Sequence, residues 1–234
     1  MRARSSSCGE TRFLAELEAA TPWAKLIAVL EPHQPKGEGR GRPPIGLARM
    51  LRMYVVQQCS GLCVERMEDG VYDSQAIRGF IGIDMTVHVA PDTTTLLKFR
   101  RLLEMHTLTQ MMFNTINGHL AEKGLLLEES TVVDATIIAA PSSTKNQSGK
   151  RDADMHQKEK GKTRHFGMNA HIGVDAHSGL VHTIVTTAAK TADVTQPHAL
   201  LPGEDTHAVG DAGCTGVAKR DEHPGSAMTW HVAM

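Results

Sequence analysis

Apolar residues recur at helical spacing through the first half of the chain. Leu47, Met50, Leu51, Tyr54 and Val55 form one stripe, with Arg49 and Arg52 on the opposite side, which predicts an amphipathic helix. Two shorter amphipathic pieces between Glu65 and Gly82 carry Met67, Val71, Tyr72, Ile77, Phe80 and Ile81. Asp92, after Pro91, reads as an N-cap because its carboxylate can accept an amide of the first turn. The helix it would open holds Leu96, Leu97, Phe99, Leu102 and Leu103. A further helix starts near Leu108, places Met111, Met112, Ile116 and Leu120 on one face, and is expected to stop near Gly124. The methionines at this spacing read as core.

The period then changes. Thr131–Ile138 (TVVDATII) is β-branched and predicts a strand, as do Gly167–Asp175 and Leu180–Thr187. Asp175-Ala-His-Ser-Gly179 joins the last two as a hairpin turn, and turn chemistry accounts for Asp175. Asp193–Leu201 is compatible with a helix and His207–Asp211 with a short strand. Met228, Trp230, Val232 and Met234 alternate with polar or small residues, a strand pattern that reaches the chain end uncovered. The Gly/Pro/Arg stretch Lys36–Pro44 is a loop. The organisation expected is an N-terminal segment and basic loop at 1–44, a helical domain at 45–125 and an α/β domain at 128–234.

Two acids stand out in the strand-rich half. Asp134 lies mid-strand, where a carboxylate is costly unless neutralised, paired or bound to a metal. Asp211 lies where a short strand runs into Ala212-Gly213. If the two strands are neighbours, the carboxylates converge, and hard cations such as Mg²⁺ or Mn²⁺ prefer such oxygen ligands. On spacing alone, an acid serving a turn or a salt bridge explains either residue as well.

Composition narrows the alternatives. Of 234 residues 41% are hydrophobic and 22% charged, as in ordinary globular proteins, but only 4% are aromatic, so aliphatic and Met side chains must fill the interior. No apolar run approaches the roughly 20 residues of a membrane helix, and no apolar segment follows the N-terminal basic residues as in a secretory signal. The four cysteines, 8, 59, 63 and 214, form no disulfide framework, which fits a reducing cytoplasm; Cys59 and Cys63 read as core thiols. The histidines, His171, His177, His182, His198 and His207 among them, lack zinc-ligand spacing. Ser142, Ser143 and Thr144 have no His/Asp partners for nucleophilic catalysis.

Net charge is −1, yet basic residues cluster. Arg40, Arg42, Arg49 and Arg52 form one group, Lys98, Arg100 and Arg101 another. Lys145, Lys150, Arg151, Lys158, Lys160, Lys162 and Arg164 lie in an insertion between predicted strands, with Asp152, Asp154 and Glu159 as solvated acids. All are candidate contacts to a phosphate backbone, which positions DNA without reading bases; solvated loops explain the charge equally well.

Five segments stand out together: Val133–Lys145 (VDATIIAAPSSTK), His165–Gly179 (HFGMNAHIGVDAHSG), Gly210–Gly216 (GDAGCTG), Met67–Ser74 (MEDGVYDS) and Pro91–Arg100 (PDTTTLLKFR). They resemble segments of insertion-sequence-five DDE transposases. The resemblance covers roughly residues 12–234. It implies a ribonuclease-H-like α/β catalytic domain behind an all-α DNA-binding domain. Asp134 and Asp211 would be the first two acids of the triad and would hold Mg²⁺ or Mn²⁺ for strand cleavage and transfer. The implied partners are double-stranded DNA at terminal inverted repeats and target sites, with the protein acting as a multimer in the bacterial cytoplasm, at the nucleoid.

The resemblance also implies a third acid, a Glu within Tyr-x-x-Arg-x-x-x-Glu on a later helix. No residue after Asp211 fits; Glu222, the one Glu there, lies in the polar stretch Lys219–Pro224. The expectation is a C-terminally truncated domain that lacks the closing helix and is inactive alone. Cys214 stands where an aromatic is usual and Asn169 where Lys is common, which suggests relaxed constraint. The rival expectations are a non-catalytic regulator competing for transposon ends and a product that does not fold.

Overall fold

A computed structural model describes residues 3–35, 45–126, 129–140, 152, 154–160, 163–201, 205–219 and 228–233. The chain divides into two compact units, Met1–His119 and Leu120–Met234.

The first unit is helical. Its helices are α1 (Ala3–Ala20), α2 (Trp23–Leu30), α3 (Leu47–Ser60), α4 (Val64–Asp73), α5 (Gln75–Ile81) and α6 (Thr93–Met105), and α7 (Leu108–Glu122) begins within it. Leu26, Leu30, Leu51, Met53, Met67, Leu96, Leu103 and Leu108 are almost fully removed from solvent, each burial stabilising by about 1.5–3 kcal/mol. The expected cap forms: Asp92 Oδ1 accepts from the Thr95 amide at 2.7 Å. Ser74 caps α5 in the same way, accepting from the Ile77 amide at 3.2 Å. Gly82 (φ 78°) and Gly124 (φ 66°) close α5 and α7 in the left-handed region, where a side chain would be strained.

Some expectations fail on detail. Tyr72, Leu97 and Met111 are exposed rather than core. So are Cys59 and Cys63, read from the sequence as core thiols. Cys59 lies in the last turn of α3 and Cys63 is the residue before α4, so both sit at a helix junction beyond the apolar stripe. The helical pair α1–α2 had no counterpart in the sequence reading.

The second unit contains a mixed sheet of β1 (Ser130–Ala139), β2 (His156–Lys160), β3 (Thr163–Asp175), β4 (Val181–Ala188), β5 (His207–Gly210) and β6 (Thr229–Val232). β3, β1, β5 and β6 lie side by side in that order, and β2 and β4 both pair with β3. The β1–β3, β2–β3 and β3–β4 ladders are antiparallel, whereas β1–β5 and β5–β6 are parallel. Burial alternates along β5, with Ala208 and Gly210 buried and His207 and Val209 exposed. Val133, Leu200 and Cys214 form the core of the covered face, with Val185 and Val232 packed against them. At the β3–β4 turn Asp175 Oδ1 accepts from the amides of His177 (2.9 Å) and Ser178 (2.7 Å).

Two elements differ from expectation. The segment compatible with one helix at Asp193–Leu201 is a 3-10 turn, Asp193–Thr195, followed by the short α8 (Pro197–Leu200). Pro197, the first residue of α8, has no amide with which to continue the hydrogen bonding of the 3-10 turn. The basic insertion contains a strand: β2 pairs with Thr163–Gly167 of β3. Among the described residues, no helix is long and apolar enough to cross a membrane.

Candidate active site

The parallel ladder between β1 and β5 sets Val132 beside Val209 and Val133 beside Gly210. The next residue in each case is an aspartate, Asp134 within β1 and Asp211 directly after β5, so the two stand at the same level of neighbouring strands. Both are exposed. The desolvation cost argued from a mid-strand carboxylate therefore does not arise at Asp134, because its side chain points away from the covered face. Asp134 Oδ1 accepts from the Ala135 amide at 2.8 Å, and Asp211 Oδ1 accepts from the Gly213 amide at 2.9 Å. The second bond caps the 3-10 turn Ala212–Cys214 and fixes the direction of the Asp211 side chain.

Two exposed carboxylates on adjacent strands are an oxygen donor set that fits a hard divalent cation. Among the described residues, no group of three or more His, Cys, Asp or Glu is arranged to hold a metal ion.

A third carboxylate, missed from the sequence, lies close by. Asp193 opens the 3-10 turn that packs against the turn carrying Asp211. A Cβ at Gly213 would stand 3.0 Å from Asp211 Oδ1 and 3.6 Å from Asp193 Oδ2, so the two carboxylates flank one glycine. Lys158 Nζ donates to both Asp193 oxygens at 3.1 and 3.2 Å, and Asn169 Nδ2 donates to Oδ1 at 3.2 Å. Lys158 comes from β2, the strand hidden in the basic insertion; an Asp ahead of Val-Thr-Gln at a presumed helix start was the only available signal.

Cys214 lies beneath these acids and is buried. Its thiol is pushed up to about 11, first by burial and then by the charges of Asp211, Asp193 and Asp134, so it is not a nucleophile near neutral pH. His171 is also buried, with Nε2 2.9 Å from Thr187 Oγ1, and burial lowers its pKa despite the nearby Asp193. A second buried network joins Thr131 Oγ1 to Asp205 Oδ1 at 2.8 Å and to His182 Nε2 at 3.0 Å. Burial raises the Asp205 pKa, and its Oδ2 has no partner among the described residues.

The predicted DNA contacts are scattered in their surroundings. Arg40, Arg42, Lys145, Lys150, Arg151 and Lys162 lie outside the described residues, and Lys160 is described only in its backbone. Arg52 bonds Glu18 and the Phe80 carbonyl and stacks 4.4 Å from the Trp23 ring centroid. Arg49 Nη2 is 2.9 Å from His88 Nε2. Lys158 is held by Asp193, and Arg164, exposed, lies 3.6 Å from Glu159. Lys98 and Arg101 are exposed on α6, with Arg100 half-buried between them.

A helical unit followed by a mixed sheet that sets Asp134 of β1 level with Asp211, just past β5, defines an α/β protein with two exposed aspartates on neighbouring strands. Comparison with known families is more specific. Residues 3–102 match the family described as Transposase domain (DUF772), and residues 127–234 match the family described as Transposase DDE domain. The chain is thus similar to transposase domains over both of its halves, and the two matches together support a DDE transposase. Transposases act on DNA, and the DDE family generally uses a divalent metal. No solved structure gives a significant match to the chain.

Proposed function

We propose that this chain is a transposase of an insertion sequence of the insertion-sequence-five group, with a ribonuclease-H-like core that acts at transposon ends. The observation that carries the reading is the β1–β5 register, which sets Asp134 beside Asp211 within the segment matching the DDE domain. The strand order supports the core assignment: three antiparallel strands (β4, β3, β1) continue into two parallel ones (β5, β6).

In this reading Asp134 and Asp211 hold Mg²⁺ or Mn²⁺. The cation, when bound, would activate water or a DNA 3′-hydroxyl and stabilise the leaving oxygen at a phosphodiester. The protein's part is geometric. β1 and β5 fix the separation of the two carboxylates, and the Gly213 amide fixes the orientation of Asp211. No protein nucleophile is involved; water and DNA supply the attacking oxygens. Residues 45–125 form the DNA-binding domain, with Lys98 and Arg101 on α6 as phosphate contacts, and 128–234 the catalytic domain.

Cation binding tests the reading most directly. Mn²⁺ titration of the purified chain is expected to show binding that Asp134→Asn weakens at least tenfold. A DNA fragment bearing the element's own end supplies the second arm. Cation-dependent cleavage lost in Asp134→Ala supports a catalytic copy; end-specific binding without cleavage supports a regulator competing for ends. Equal Mn²⁺ binding by wild type and Asp134→Asn would overturn the assignment of the site.

A further inference from the structure

The Lys158–Asp193 pair has no part in the reading above, yet it sits against the turn that carries Asp211. Its two members have side chains 25% and 30% exposed, so neither is a fully solvated surface charge. Asn169 anchors the pair from below: it is 1% exposed, and its Nδ2 donates to Asp193 Oδ1 and, at 3.3 Å, to the Thr191 carbonyl. Asp193 is thus held in one place by two donors from β2 and β3. Gly213 leaves no side chain between it and Asp211.

Asp193 and Asp211 flank Gly213; like charges so placed repel one another, and the field they add to that of Asp134 sets how strongly a cation is drawn in. With Lys158 in place, the Asp193 charge is offset and the local sum is that of Asp134 and Asp211 alone. Without Lys158, a third negative charge would act on the same volume.

We infer that Asp193 is a third, electrostatically offset carboxylate of the two-aspartate site and that Lys158 sets the charge of that site, and hence its cation affinity. Lys158 acts through Asp193 and is a positioning and charge-setting residue, not a cation ligand. The inference rests on the reading of Asp134 and Asp211 as the cation site. It also separates Lys158 from the other basic residues of the insertion: its ammonium serves the protein's own acid before any phosphate.

The test is Mn²⁺ titration of the full chain, followed by electron paramagnetic resonance of the free ion. Lys158→Met is expected to tighten Mn²⁺ binding roughly five- to tenfold at low salt, an effect that shrinks as ionic strength rises. Lys158→Arg should restore wild-type affinity, and adding Asp193→Asn to Lys158→Met should cancel the gain. Lys158→Gln, which keeps a donor toward Asp193, should give an intermediate gain and serves if the Met variant does not fold. Unchanged or weaker binding in both Lys158 variants, with Asp134→Asn still impaired, would overturn this inference alone. Wild type and Asp134→Asn binding alike would overturn the parent site and this inference with it.

Discussion

Gly210 faces Cys214 with no room for a side chain between them: a Cβ on Gly210 would lie 2.9 Å from Cys214 Cβ and 3.0 Å from its Sγ. That contact lets the turn after β5 fold back under the sheet and so bring Asp211 out at its end. Gly210→Ala should force the turn away, at a cost of about 1–3 kcal/mol. Urea unfolding measures it; a midpoint equal to wild type would show that the turn shifts freely and that Asp211 is not held by this packing.

Asp211 caps the Gly213 amide, and in the proposed function it also supplies charge to the cation site. Asp211→Asn keeps an oxygen for the cap and removes the charge, whereas Asp211→Ala removes both. We expect the Asn variant to melt like wild type and the Ala variant to lose about 1 kcal/mol. Both should lose Mn²⁺ affinity. Equal stability of the two variants would remove the capping role.

Arg52 and the α6 cations should part company in solution. Arg52 is enclosed by Trp23, Phe80 and Glu18, and it holds the Glu18 carboxyl below the usual carboxylate range. Arg52→Ala should destabilise the helical unit by about 1–2 kcal/mol. Lys98→Ala and Arg101→Ala should leave the melting temperature unchanged. Each should weaken DNA binding without regard to sequence and reduce the salt slope by about 1. DNA affinity insensitive to both α6 changes would count against α6 as the phosphate-binding surface.

Asp205 makes stability depend on pH in a defined direction. Its folded pKa is raised by burial, so between the ordinary value and the raised one the folded state binds more protons than the unfolded state. Its stabilising contribution is complete below the ordinary carboxylate pKa of about 3.9 and is lost as pH rises through the raised value. Asp205→Asn should remove that slope. The gap in melting temperature, variant minus wild type, should therefore grow in the variant's favour from pH 4 to pH 7; a constant gap would refute the assignment.

Helices with a continuous apolar stripe were legible in the sequence because burial imposes the 3.6-residue period: α3 through α7 follow it, and Asp92 marked the start of α6 by its chemistry. β1, β3 and β4 were legible from β-branched runs and the Asp175–Gly179 turn. β2 was not, since His-Gln-Lys-Glu-Lys carries no apolar alternation and its pairing comes from the exposed extension of β3. The same limit hid Asp193. Its importance lies in Lys158 and Gly213, one distant in sequence and both contributed by segments without a periodic signature. Asp134 and Asp211 were legible as candidates, but only the parallel register brings them level.

Pairing β1 with β5 joins residues near 133 to residues near 210, whereas β3 and β4 are linked by a short turn. Chain-closure entropy favours the local hairpin over the distant pair. The antiparallel part of the sheet is therefore the natural scaffold on which β5 docks late, followed by β6. Asp134 and Asp211 are companions only in the finished sheet. A chain caught before that step, or frayed back to it, retains both aspartates and most of its strands while having no two-carboxylate site at all.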